Sequence, residues 1–226
     1  MKHLPYLFIF FVLCCSSSEG VEGLNGKVAS MVENYLLATD TNGVIYDKVL
    51  KRAKKYTFNS DGYLITIEET DRQGELLSSG QVESYSNAGD AISIKTLDAN
   101  GELLEQHRKI YEGSNLMSET FEGKINKKLS YTYENGKRVS GLWENRDGMK
   151  FRTFEYEWNS KGEMSKEVMS LPGGRLMQEL TFKYEYDSKG NWIVKKTYRD
   201  GKLFDYIERI ITVSYTHLTL PTICSV

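Results

Sequence analysis

In residues 182–187 Phe182, Tyr184 and Tyr186 alternate with Lys183, Glu185 and Asp187, so one side of an extended segment is aromatic and the other charged. A period of two is what a strand with one buried face requires. Asp187-Ser188-Lys189-Gly190 then breaks the alternation. Gly supplies the positive φ of a reversal, and Asp and Ser side chains hydrogen-bond turn backbone. Shortened copies of this unit recur, and Gly62, Gly74, Gly89, Gly101, Gly113, Gly123, Gly136, Gly148, Gly162, Gly174, Gly190 and Gly201 follow one another at intervals of 10 to 16 residues. That is the spacing of strands joined by short turns.

Two kinds of turn are legible. One follows an aromatic strand, at 56–62, 133–136, 156–162 and 184–190. The other places Leu two residues after Gly, at 72–76, 99–103, 172–176 and 199–203. Together they predict an all-β fold, an antiparallel meander of repeated β-hairpins in which about twelve to fourteen strands form a long, twisted or curled sheet, because open sheets beyond ~10 strands curl or split. Phe58, Tyr131, Tyr133, Phe154, Tyr156, Trp158, Phe182, Tyr184 and Tyr186 are expected on its inner face, with Glu155, Glu157, Lys183 and Glu185 wet. Residues 26–58 read as a longer hairpin turning at Asn42-Gly43 and capping the first edge. A helix over 44–55, with Val49, Leu50 and Ala53 as its apolar stripe, is the alternative. At the far side 203–211 reads as an uncovered edge strand.

The two ends depart from this rhythm. Met1-Lys2-His3 and the apolar run 4–13 form a secretion signal too short to span a bilayer, which needs ~20 residues. Residues 12–16, Val-Leu-Cys-Cys-Ser, resemble a bacterial lipobox with Cys15 as the lipidated residue, and an ordinary cleaved signal is the alternative. In such lipoproteins Ser16, rather than Asp, implies the outer membrane. The division is therefore signal 1–14, lipidated Cys and tether 15–25, repeat domain 26–212, and a tail 213–226. The tail lacks turn residues and alternation, and it resembles a translated transposase sequencing adapter, so it is expected to be non-native.

The repeat units at 184–192 and 200–203 resemble the YD/RHS-type repeat, and 133–148 is similar to a variant MORN unit. The resemblance implies stacked antiparallel hairpins and spans about residues 56–211. It resembles bacterial envelope lipoproteins built this way, and it implies no catalytic site.

Composition narrows the chemistry. The chain has 226 residues, with 29 Lys and Arg against 31 Asp and Glu. With no basic block, nucleic-acid binding has no electrostatic footing. Outside the signal and tail only Cys15 remains, so no disulfide is expected, and His107 is the one remaining histidine. It has no nucleophile elbow nearby, and no carboxylate pair is privileged for hydrolysis. No metal or other cofactor is expected: Asn59-Ser60-Asp61-Gly62 lacks the further ligands of a calcium loop and reads as turn chemistry. Trp143 and Trp192 lie near turns, where exposure is expected, and are the candidate ligand contacts. The expected function is a non-enzymatic, outer-membrane-anchored binding or scaffold surface. A glycan or an envelope protein is the partner, beside the membrane that holds the lipid anchor. A structural spacer or assembly partner is the alternative, with a polysaccharide hydrolase third.

Overall fold

The computed structural model describes residues 24–25, 27–123 and 126–213. Fourteen antiparallel strands follow one another in chain order: β1 (Val28–Thr41), β2 (Val44–Phe58), β3 (Leu64–Asp71), β4 (Leu76–Tyr85), β5 (Ala91–Asp98), β6 (Leu103–Glu112), β7 (Asn115–Gly123), β8 (Lys127–Glu134), β9 (Lys137–Asn145), β10 (Lys150–Trp158), β11 (Met164–Ser170), β12 (Leu176–Tyr186), β13 (Trp192–Arg199) and β14 (Lys202–Val213). The meander and the strand number agree with the sequence pattern. The expected open, curled sheet does not form, because β14 pairs with β1 and closes a barrel. Met31↔Ile211, Glu33↔Arg209 and Tyr35↔Ile207 make the seam.

Closure corrects two further expectations. Residues 203–211 are not an uncovered edge, and the first hairpin is a part of the wall rather than a cap. Full closure removes the unpaired edges that an open sheet leaves for aggregation. The helix considered over 44–55 is also overturned: these residues lie in β2, paired on both sides. Lys54 opposes both Glu33 and Glu69 there, so neighbouring strands and not local propensity decide the segment.

Strict up-and-down order sends alternate turns to opposite ends. At the base lie Val28, Val213 and the turns entering odd-numbered strands; at the mouth lie the turns entering even-numbered strands. The two kinds of turn sort by end, the aromatic kind to the base and the Gly-x-Leu kind to the mouth. They do not sort by geometry. At 159–163 the Asn159 side-chain oxygen accepts from the N–H groups of Lys161 and Glu163 at 2.9 and 3.0 Å, while Gly162 takes φ +86°. Asn59, Asp71, Asp98, Asn145 and Asp187 repeat this arrangement at either end. Asn135-Gly136 at the base and Asp200-Gly201 at the mouth share the other geometry, a two-residue turn with both φ positive.

The inner face is as expected from alternation save at Tyr186, which follows a register shift and is half-buried at the base beside Lys161 and Asn159. Phe58, Tyr131, Phe154, Tyr156 and Phe182 are buried, and Tyr133, Trp158 and Tyr184 pack against the core; Glu155, Glu157, Lys183 and Glu185 are exposed. The outer wall carries cross-strand ion pairs, among them Lys196–Glu185 at 2.7 Å, Arg108–Glu122 at 2.6 Å and Lys166–Glu179 at 3.1 Å. A charge facing lipid at mid-bilayer costs about 2–4 kcal/mol. This wall is built to face water, with its apolar side turned inward.

Candidate functional site

At the mouth, five even-numbered strands carry the same irregularity near their start. Register skips one residue at Leu77, Leu104, Phe151, Met177 and Phe204. A β-bulge leaves its extra residue unpaired, bends the strand and re-aims the side chain. Each bulged residue follows Gly-x-x in the turn, so local sequence sets its place.

These bulges border a patch of bare apolar side chains. Among the described residues, eleven of the fifteen exposed large hydrophobics belong to the mouth: Leu37, Val44, Tyr46 and Val49 on β1–β2, Leu76 and Leu77 on β4, Leu103 on β6, Met149 and Phe151 at β10, and Leu176 and Met177 on β12. Their exposures run from 38% to 61%. The β1–β2 hairpin contributes most because it is longest, 14 and 15 residues against 7 to 12 for the other strands. Leu37↔Val49, Thr39↔Tyr46 and Thr41↔Val44 place its apolar residues on the face that continues inward through Tyr35. Outer contacts brace it: Lys48 pairs with Glu208 at 2.6 Å, and the Tyr198 hydroxyl donates to Asp40 at 2.9 Å.

The base is built differently. Tyr85 donates to the Leu64 carbonyl at 2.6 Å, Tyr133 to Leu116 at 2.9 Å, Trp158 Nε1 to Arg138 at 2.6 Å, and Tyr184 to Met164 at 2.9 Å. Each bond ties an aromatic near the end of an even-numbered strand to the start of the preceding strand. Asn25 docks on the β12–β13 turn: its N–H donates to Asn191 Oδ1 at 2.6 Å and its side-chain amide to the Lys189 carbonyl at 3.0 Å. The chain thus enters the barrel at the base, against the repeat unit at 184–192.

Charges are buried between the two ends. Glu33 accepts from Arg209 Nε at 2.9 Å, Tyr35 at 2.9 Å and Tyr56 at 3.1 Å, and the Arg209 guanidinium lies 3.2 Å from the Trp192 ring centre. His107 Nε2 is 2.8 Å from Glu119, whose other oxygen accepts from the Tyr131 hydroxyl at 2.5 Å, and the imidazole stacks on Phe121 at 4.1 Å. Burial alone would raise the Glu119 carboxyl; the His107 hydrogen bond and charge, with Lys109 and Tyr131, outweigh it and hold it at about 2. Glu167 is the opposite case. Burial pushes it up to about 7 against the opposing charges of Lys195 and Arg138.

The expected site residues separate. Trp192 is not exposed: at 9% it is core, with Tyr184 against its edge and Arg209 on its face, because the turn beside it is sealed by Asn25. Trp143 is half-buried nearer the mouth, with Phe151 at 6.0 Å and Lys127 Nζ at 5.7 Å. The two lie four strands apart and do not form one site. Cys15 falls outside the described residues. His107 is buried in its carboxylate and phenol network, and the side chain at the head of 59–62 is used by turn N–H groups. Among the described residues no group of three His, Cys, Asp or Glu is placed to hold a metal ion. The apolar mouth itself was not read from the sequence. Its signal is the Leu two residues after Gly, as in Gly74-Glu75-Leu76, Gly101-Glu102-Leu103 and Gly174-Arg175-Leu176, each exposed at the mouth.

No family model matches the chain, and no curated protein matches it. Among solved structures it is similar to a porin-like protein from Bacteroides uniformis at 10% identity and TM-score 0.45, over 81% of this chain and 96% of that one. A DUF1329 family protein from Desulfovibrio piger is similar at 12% identity and TM-score 0.38, over 84% and 88%. The Photorhabdus luminescens Tc holotoxin pore is similar at 16% identity and TM-score 0.27, over 83% of this chain but 11% of that one. At these scores the likenesses assign neither family nor activity.

Proposed function

We propose that the chain is an envelope lipoprotein, anchored in the outer membrane through Cys15, whose barrel is a non-catalytic binding or scaffold module that offers its mouth to an apolar partner surface. The concentration of eleven exposed large apolar side chains at one end carries the reading. These side chains stand around the rim of the mouth at β4, β6, β10 and β12 and on the β1–β2 hairpin, which alone carries four of them, Leu37, Val44, Tyr46 and Val49. The tether joins at the base, so the mouth lies at the end away from the anchor.

The test has two arms in cells carrying the full chain. Cys15→Ser moves the protein from the outer-membrane fraction to the soluble fraction. Leu103→Glu with Leu176→Glu lowers binding of an environment-sensitive apolar dye several-fold while the thermal midpoint stays. A Cys15→Ser protein that stays in the membrane fraction overturns the anchor, and unchanged dye binding overturns the mouth. A second reading rests on half-buried Trp143 beside exposed Phe151, a ring pair that suits a sugar. Glycan-array binding that disappears in Trp143→Ala would favour it over the apolar partner.

A further inference from the structure

The mouth carries charge as well as apolar surface, and the charge is divided. In the turns at 71–75 and 98–102, Asp71, Glu75, Asp98 and Glu102 stand against Arg72 alone, net −3. In the turns at 171–175 and 199–202, Arg175, Arg199 and Lys202 stand against Asp200, net +2. On the ring of fourteen strands these arcs lie nearly opposite, with the β1–β2 hairpin between them on one side and β7–β10 on the other.

Resting on the reading of the mouth as a binding surface, we propose that its partner is a second copy of this chain, seated mouth to mouth about a two-fold axis that runs across the mouth through the β1–β2 hairpin. That axis sets the acidic arc of one copy on the basic arc of the other, twice. It also brings the two protruding hairpins together, each presenting Leu37, Val49, Tyr46 and Val44. An isologous interface demands this self-complementarity, residue i meeting j while j meets i. A standard interface takes ~800 Å² per partner, and the hairpin's four bare side chains with the two charged arcs span the rim that such an interface would cover. An anionic membrane fits less well, because the mouth as a whole has no basic excess and membrane attraction draws on clustered Lys and Arg. The stretch from Cys15 to Leu24 can reach roughly 30 Å, so two anchored barrels can lie along one membrane with their mouths facing.

Photo-crosslinking in cells expressing the full chain tests the proposal. A benzoyl-phenylalanine at Val49 or Leu103 should give a band at twice the chain mass, and one at Ile65, exposed at the base, should not. Two charge-reversed chains then decide it: Arg175→Glu with Lys202→Glu makes both arcs acidic, and Glu75→Lys with Glu102→Lys makes both basic. Each alone should lose about tenfold in self-crosslinking, since like charges face across the interface. Co-expressed with different tags, the two should crosslink to each other at the parent level, which misfolded variants could not do. Val49 and Leu103 crosslinks only to other proteins or lipids would overturn the second copy while leaving the mouth as a binding surface. No crosslink of any kind from the mouth would overturn both.

Discussion

Tyr184 and Met177 lie on the same strand, β12, and the barrel treats them in opposite ways. Tyr184 is half-buried and its hydroxyl is spent on the Met164 carbonyl, which ties the base end of the strand to its neighbour. Met177 stands unpaired in a bulge at the mouth, 44% exposed. β4 repeats the contrast with Tyr85 and Leu77, and β10 repeats it with Trp158 and Phe151. One strand design therefore produces two unlike ends. Stability is concentrated in the lumen and base, where the Glu33 and Glu119 carboxylates and the base aromatics are hydrogen-bonded; the mouth is left with surface that water does not favour. An end that contributes little to folding can be given over to contact with something else.

The sharpest way to break this comparison is at the seam. Glu33→Ala should lose about 3–5 kcal/mol of unfolding free energy in urea, because it leaves the buried Arg209 guanidinium without its carboxylate. A loss below about 1 kcal/mol would mean that closure does not depend on this pair.

Next in size is a pH effect from the lumen. The Glu167 carboxyl is raised from 4.5 to about 7 in the fold, so its contribution is fully present below 4.5 and is lost as pH rises through 7. The loss is about 3 kcal/mol. Glu167→Gln should therefore stabilise the barrel at pH 8 and change little at pH 4, read as the difference in thermal midpoint. Glu119 works the other way: held at about 2, it contributes above 4.5 and fails as pH falls toward 2. Equal midpoints for Glu167→Gln and the parent at pH 8 would show that the carboxyl is not buried as described.

Smaller effects compare lumen, base and mouth directly. Gly141→Ala would place a Cβ 2.8 Å from the Tyr156 hydroxyl and 3.3 Å from Tyr131, and should cost about 1–3 kcal/mol. Tyr184→Phe should cost about 1 kcal/mol by leaving the Met164 carbonyl without its donor. Met177→Ser, seven residues away on the same strand, should stay within about 0.5 kcal/mol. If the last two had equal cost in urea titration, the ends would not differ in the way described.

Much of the wall was legible in the chain. Phe182 and Tyr184 against Lys183 and Glu185 determine which side turns inward, and Gly after Asn or Asp at 43, 62, 101, 136, 148 and 201 marks a reversal. Closure was not legible, because it rests on Glu33 meeting Arg209, 176 residues later, and alternation within a strand says nothing about such a partner. The helix alternative for 44–55 arose from three apolar positions whose spacing suits either structure; neighbours on both sides settle it as β2. For the site, proximity to a turn was a poor guide to exposure. Trp192 follows a turn and is buried, since Asn25, distant in sequence, covers that turn. Phe151 and Met177 add a bulge that alternation does not announce, and both are left exposed where the register skips them.

Methionine oxidation by hydroxyl radicals, read residue by residue on the dilute protein, tests the two-ended barrel most directly. Met149 and Met177, 61% and 44% exposed at the mouth, should oxidise quickly, while Met31 and Met164, 0% and 6% exposed inside, should be protected. Similar rates for all four would contradict a closed wall with one bare apolar end.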